Sequence, residues 1–137
     1  MALLLRKRLI LIETESSYGT DPTPDGADAV LVRELEITPQ QSDVVSRDLI
    51  RPYLGASEQL LANTRVECTF SVELAGSGTA GTAPQYGKAL QACGLSETIA
   101  AGTSVTYAPV SSSFGSVTIH YNIDGVRHKV TGCRGTF

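Results

Sequence analysis

Apolar and polar residues alternate most regularly in RVECTFSVEL, residues 65 to 74. Val66, Cys68, Phe70, Val72 and Leu74 interleave with Arg65, Glu67, Thr69, Ser71 and Glu73. A period of two over ten residues predicts a β-strand with one buried and one wet face. AVLVRELEIT (29 to 38) is rich in β-branched and apolar residues and sets Leu35 and Ile37 against Glu34 and Glu36, which predicts a second strand. TSVTYAPV (103 to 110) reads as another. In SVTIHYNIDGVRHKVTGCRGTF (116 to 137), Asp124-Gly125 separates two alternating runs and predicts a hairpin. Helical spacing occurs only in APQYGKALQACG. Pro84 suits the first turn, Tyr86, Leu90 and Cys93 share a side, and Gly94 suits the stop, so a short helix is expected over 84–93.

Two stretches lack a period. ETESSYGTDPTPDGAD (13 to 28) is dense in Gly, Pro, Ser, Thr and Asp, which predicts an extended arm or loop. Residues 39 to 64 read as a long loop, and loops of this length within a domain are usually functional or disordered. This one carries Val44, Val45, Leu49, Ile50, Tyr53, Leu54, Leu60 and Leu61, which a merely solvated loop does not need, so contact with a partner is expected. The pattern predicts an N-terminal arm over 1–28, partly extended, and a single domain over 29–137. Its fold class is mainly β: an antiparallel β-sandwich or barrel with one short flanking helix. The final run reaches Phe137 with no turn after it, so either the domain closes there or the chain is cut from a longer one.

The chain has 137 residues, enough for one domain with a real core. A net charge of -3 gives no basic excess, which disfavours tight nucleic-acid binding. MALLLRKRLILIE, at the amino terminus, holds two apolar runs split by Arg6, Lys7 and Arg8. Both are too short for a signal-peptide core or a membrane span, so a soluble intracellular protein with no membrane insertion is expected. Cys68, Cys93 and Cys133 make neither an even set nor a C-x-x-C pair, and reduced thiols follow.

Candidate chemistry is sparse. Gly76, Gly78 and Gly81 have the G-x-G-x-x-G spacing of a dinucleotide-binding loop, but Glu67 and Glu73 put charge on the second face of the preceding strand. A strand of a doubly wound sheet is covered on both faces. Glu97 directly follows a helix and a glycine, so no second strand is expected to carry it. The loop therefore reads as a flexible joint, and no cofactor is expected. A two-residue Asp124-Gly125 turn sets Tyr121 opposite His128 and His120 opposite Lys129, which sends the two histidines to opposite faces and away from any shared metal. Cys133 shares a parity with Arg127 and Lys129, but no oriented base accompanies it. Nothing resembles G-x-S-x-G, so no catalytic residue is expected. Glu67, Glu73, Glu34 and Glu36 remain as an acidic surface or as solvated strand edges.

Taken together, ETESSYGTDPTPDGADAVLVRELEITP, RDLIRPYLGASEQLLANTRVECTFSVELAGSGTAGTAPQYGKALQACGLSETI and the final hairpin resemble the major tail tube proteins of long-tailed bacteriophages and prophages. The resemblance covers nearly the whole chain. It implies a non-enzymatic virion protein, made in the bacterial host cytoplasm, whose hexameric rings stack into a hollow tube. DNA would be passing cargo, and the partners would be further copies of the chain, the tape measure protein and the tail terminator. In that family a long loop or hairpin between early strands reaches the adjacent ring, which here corresponds to residues 39–64, and the N-terminal arm often orders on assembly. Relatives usually continue past the position of Phe137, which implies truncation. On this reading Glu67, Glu73, Glu34 and Glu36 would face the lumen, where acid repels phosphate. The alternatives are a tail terminator or tube initiator of similar fold and, from a different class, a small nucleotide-binding enzyme.

Overall fold

A computed structural model of the chain describes Leu4 and residues 6–137. In chain order the strands are β1 (Arg8–Thr14), β2 (Ala29–Val30), β3 (Val32–Ser46), β4 (Gln59–Val72), β5 (Leu95–Ala100), β6 (Ser104–Pro109), β7 (Val117–Ile123) and β8 (Val126–Cys133). Helix α1 (Gly87–Ala92) lies between β4 and β5. The mainly β, antiparallel class with one short helix is the one the sequence predicts. The strands form one four-stranded sheet in the order β2-β1-β7-β8 and two separate ribbons, β3-β4 and β5-β6. By internal contacts the described residues up to Val32, together with Val72–Phe137, make one compact unit, and Arg33–Ser71 make a second.

The core of the first unit is the four-stranded sheet. Ile10, Leu11 and Ile12 on β1 are buried, and so is every residue from Val117 to Tyr121 on β7. Pairing of Ile10 with Tyr121 and of Ile12 with Ile119 puts these four apolar side chains on one face. Leu11 opposite His120 and Glu13 opposite Thr118 occupy the other. Residues 8–14 are thus a central strand, where the sequence reading has an arm. The physical reason lies in their composition: a strand covered on both faces shows a continuous apolar run, and the period-two signal disappears. The first residues, apart from Leu4, fall outside the described ones.

The β7–β8 hairpin forms as its turn residues require. Asp124 (φ 43°) and Gly125 (φ 89°) both take positive φ, the requirement of a type I′ turn, whose twist matches that of the strands. His128 stands opposite Tyr121, with the rings stacked at 6.0 Å, and Lys129 stands opposite His120, the expected register. Further along, Ile119 faces Val130 but Val117 faces Cys133, so β8 carries one extra residue. That bulge, with Gly132 at φ 66°, moves Cys133 to the other parity, away from the face of Arg127 and Lys129 where simple alternation puts it.

Helix α1 begins at Gly87, three residues later than expected, because the Pro84 carbonyl accepts from the Gly87 N–H in a preceding turn. It stops as predicted at Gly94, whose φ of +84° suits a helix terminus. LSETIA then forms β5, a strand the sequence reading misses, and Glu97 lies within it. β5 pairs antiparallel with β6 across a turn at residues 101–103.

Candidate assembly surface

The second unit is a long hairpin, β3 and β4, joined by residues 47–58. Where the sequence suggests a loop over 39–64, both strands continue for most of the distance. Their period is lost for two local reasons. Glu34 in β3 and Asn63 in β4 both have positive φ, 53° and 51°, and an interruption of that kind resets which residues share a face. In addition, neither strand contains a single buried residue, so burial imposes no strict alternation. The half-buried positions Cys68, Phe70 and Val72 do follow the predicted face of 65–74, but Val66 is exposed and Leu74, beyond the strand end, is more so.

Polar pairs hold the two strands side by side. Ser71 Oγ donates to Glu34 Oε2 at 3.1 Å, and Asn63 Nδ2 donates to Asp43 Oδ2 at 3.0 Å. Arg65 lies 3.7 Å from Asp43 Oδ1 and 3.1 Å from Glu67 Oε1. At the base of the connection the Arg47 N–H donates to the Glu58 carbonyl, and their side chains pair at 3.6 Å. These pairs are exposed, and exposed ion pairs each contribute only about 0–1 kcal/mol.

All eight apolar residues singled out from the sequence lie on this one element. Val44 and Val45 end β3, Leu60 and Leu61 begin β4, and Leu49, Ile50, Tyr53 and Leu54 belong to the connection. Val44, Val45, Leu60 and Leu61 each stand two or three residues inward of the Arg47–Glu58 closure. Leu60, the least exposed of the eight, keeps 46% of its surface, and Ile50 and Leu54 are fully exposed. Arg51 covers part of the Tyr53 ring, its guanidinium 6.0 Å from the ring centre. A two-stranded ribbon alone is marginal in water, and contiguous exposed apolar surface marks sites of association.

The four acids are distributed less evenly. Glu34, Glu36 and Glu67 belong to the hairpin, whereas Glu73 lies one residue past the end of β4, in the first unit. Glu34 is bonded to Ser71 and Glu67 is paired with Arg65, so the acidity of this strip is partly compensated within the chain.

The glycine-rich segment is an organised turn. Ser77 Oγ bonds the carbonyls of Thr79 and Thr82, and Gly78 and Gly81 take positive φ. A Cβ on Gly81 would sit 2.4 Å from the Gly102 nitrogen, so this glycine permits close packing on the β5–β6 turn. Glu97 does lie on a strand, but that strand is antiparallel and its carboxylate accepts from Tyr107 Oη. The dinucleotide arrangement, a parallel pair with a free acid at a strand end, is not formed.

Burial pushes the thiol pKa of both Cys68 and Cys93 upward, which disfavours thiolate, and Cys133 Sγ donates to the Val130 carbonyl. Among the described residues no three His, Cys, Asp or Glu side chains gather as a metal site. Nor is any helix there long and apolar enough to cross a membrane.

Sequence reasoning missed three polar clusters of the first unit. Lys88 Nζ bridges Glu13 and Asp28. Glu15 accepts from Gly19, Ser116, Thr118 and Gly132, and Asp21 accepts from Thr23, His120 and Lys129. Burial acts to raise the Glu15 pKa, but its four hydrogen bonds, the strongest from the Gly132 N–H, hold it at about 2. Lys129, then the Thr23 N–H, hold Asp21 at about 2. Apart from the two local N–H contacts of Gly19 and Thr23, these join residues 60 to 117 positions apart, and no local pattern announces them.

Residues 6–137 match one protein family, described as phage tail tube protein. No curated protein matches the chain. No solved structure matches it either.

Proposed function

Because the chain belongs to the phage tail tube protein family, a structural family of the virion tail, we propose that it forms hexameric rings that stack into the channel for DNA delivery. The observation that carries this reading is the β3–β4 hairpin, which has no core of its own and leaves eight large apolar residues in water. Burying one such side chain contributes about 1.5–3 kcal/mol, so covering several of them can drive association. Val44, Val45, Leu49, Ile50, Tyr53, Leu54, Leu60 and Leu61 make the contact between subunits or rings. Between rings, a contact of this kind joins unlike surfaces, does not close on itself, and propagates into a filament.

On the same reading Glu34, Glu36, Glu67 and Glu73 face the lumen, where negative charge keeps phosphate from adhering. DNA is then cargo in transit, the role is non-enzymatic, and the tape measure protein and tail terminator are the further partners. Subunits assemble in the host cytoplasm before joining the tail. Residues 29–137 act together with the preceding segment, whose strand β1 completes the four-stranded sheet.

Negative-stain microscopy of the purified chain at high concentration, with light scattering on the same sample, tests the proposal. Tubes or stacked rings are expected. A single closed ring that never stacks would indicate a capping component such as a terminator, and a lasting monomer would remove the self-assembly claim.

A further inference from the structure

The segment Glu15–Asp28 leaves the end of β1, crosses the face of the sheet that carries Thr118 and His120, and returns as β2 beside β1. Pairing of Ile10 with Val30 and Leu11 with Ala29 brings its two ends together. Lys88 of α1 closes the neck, bonding Glu13 on one side and Asp28 on the other. The segment is therefore a loop with a tied base, and its body is attached in a different way from its ends.

Two carboxylates make that attachment. Glu15 Oε1 accepts from Thr118 Oγ1 (2.6 Å) and the Gly132 N–H (2.7 Å), while Oε2 accepts from Ser116 Oγ (2.6 Å) and the Gly19 N–H (2.8 Å). Asp21 Oδ1 accepts from the Thr23 N–H and lies 3.0 Å from His120 Nε2, and Oδ2 accepts from Lys129 Nζ at 2.6 Å. Tyr18 adds a ring over which the Arg134 guanidinium sits at 5.0 Å. Apolar anchoring is slight, since Pro24 is the one buried residue between Ser16 and Ala27. Beneath the loop, Ser116, Thr118 and His120 are buried and polar, and the Nδ1 atom of His120 has no partner.

We infer that Glu15–Asp28 is a latched strap, which opens as a unit about its Lys88-tied neck while the four-stranded sheet stays folded. Regions with few buried apolar contacts open at a lower free energy than the core. Opening here brings mainly hydrogen-bonding groups into water: the hydroxyls of Ser116 and Thr118 and the His120 imidazole. The apolar face carrying Ile10, Ile12, Ile119 and Tyr121 is untouched by it. Positive φ at Gly19 and Thr23 marks the bends at which the strap is folded.

The two histidines of the β7–β8 hairpin provide the test, because His128 is exposed and His120 is wholly buried. Diethylpyrocarbonate, which modifies accessible imidazole, should label His128 far faster than His120 in the native chain. In Glu15→Gln/Asp21→Asn it should label both, at least tenfold faster at His120 than before, with the far-ultraviolet sheet signal unchanged. Continued protection of His120 in the folded variant overturns the inference. Native-state hydrogen exchange of the unaltered chain decides independently of whether the variant folds. The amides of Gly19 and Thr23 should exchange at least tenfold faster than those of Ile12 and Tyr121, and exchange at the core rate overturns the inference.

Discussion

Glu97 and Tyr107 stand directly opposite each other on β5 and β6, and the Tyr107 hydroxyl donates to Glu97 Oε2 at 2.5 Å. Burial, then the carboxylate, push the phenol pKa well above its usual value, so the hydroxyl remains a donor. Gly87 of α1 makes the arrangement possible, because a Cβ there would lie 2.1 Å from Tyr107 Oη and 3.0 Å from Glu97 Oε2.

Gly87→Ala should therefore destabilise the fold by about 1–3 kcal/mol, even though alanine favours a helix over glycine by about 1 kcal/mol. Adding Tyr107→Phe removes the atom in the way. The double variant should lose less than the sum of the single losses, measured by denaturant unfolding. Simple additivity would show that the tyrosine is not what Gly87 accommodates.

Gly78 and Gly81 separate two reasons for glycine. Both have positive φ, but Gly78 has nothing near its absent Cβ, while Gly81 meets the backbone of Ala100–Gly102. Gly78→Ala should cost about 1–2 kcal/mol from conformation alone. Gly81→Ala should cost more, since backbone rather than a flexible side chain has to move. Equal losses would show that the contact with the β5–β6 turn is not tight.

The latch carboxylates fix the acid response. The pKa of Glu15 falls from 4.5 to about 2 and that of Asp21 from 3.8 to about 2 on folding. A depressed folded-state pKa means that the unfolded chain takes up protons first. The stabilisation is complete above about pH 4.5 and is lost as pH falls towards 2. Thermal unfolding should show little change in Tm from pH 7 to 5 and a steep fall below 4. Glu15→Gln should lower Tm at pH 7 and flatten that fall.

Leu49→Asp or Leu54→Asp places a charge on the exposed apolar surface without disturbing any core residue. Each variant should remain a folded subunit, with unfolding free energy within about 0.5 kcal/mol of the original, and should fail to polymerise. Normal tubes from both variants, seen by microscopy and light scattering, would remove the hairpin from the assembly contact.

The lumen assignment has its own check. A density map of the assembled tube should place Glu34, Glu36, Glu67 and Glu73 along the channel wall. Side chains of Glu67 and Glu73 directed away from the channel would end it.

What could be read from the sequence depended on how each element is buried. The β7–β8 hairpin was legible to its register, because Asp124-Gly125 dictates both the turn and the pairing. Strand 65–74 was legible in its alternation, but not in how bare its apolar side would be. β1 reads as an arm because Leu9–Ile12 run without a polar break, the mark of a strand covered on both faces. Only the parts of the hairpin strands within 39–64 read as loop, because Glu34 and Asn63 reset the alternation. The eight apolar residues were legible as a group. The latch was not, since Glu15 and Asp21 act through residues about a hundred positions away.

Lys88 gives the fold a property that a list of contacts does not convey. One ammonium group holds together the two ends of a loop and the helix from which it reaches. Burial opposes the charges of Lys88 and Asp28, yet the contacts keep Lys88 above its usual pKa and Asp28 below. The knot is therefore tied from a distant part of the chain. During synthesis Glu13 and Asp28 both emerge well before the lysine that secures them, so this loop stays unfastened until a later part of the chain has been made.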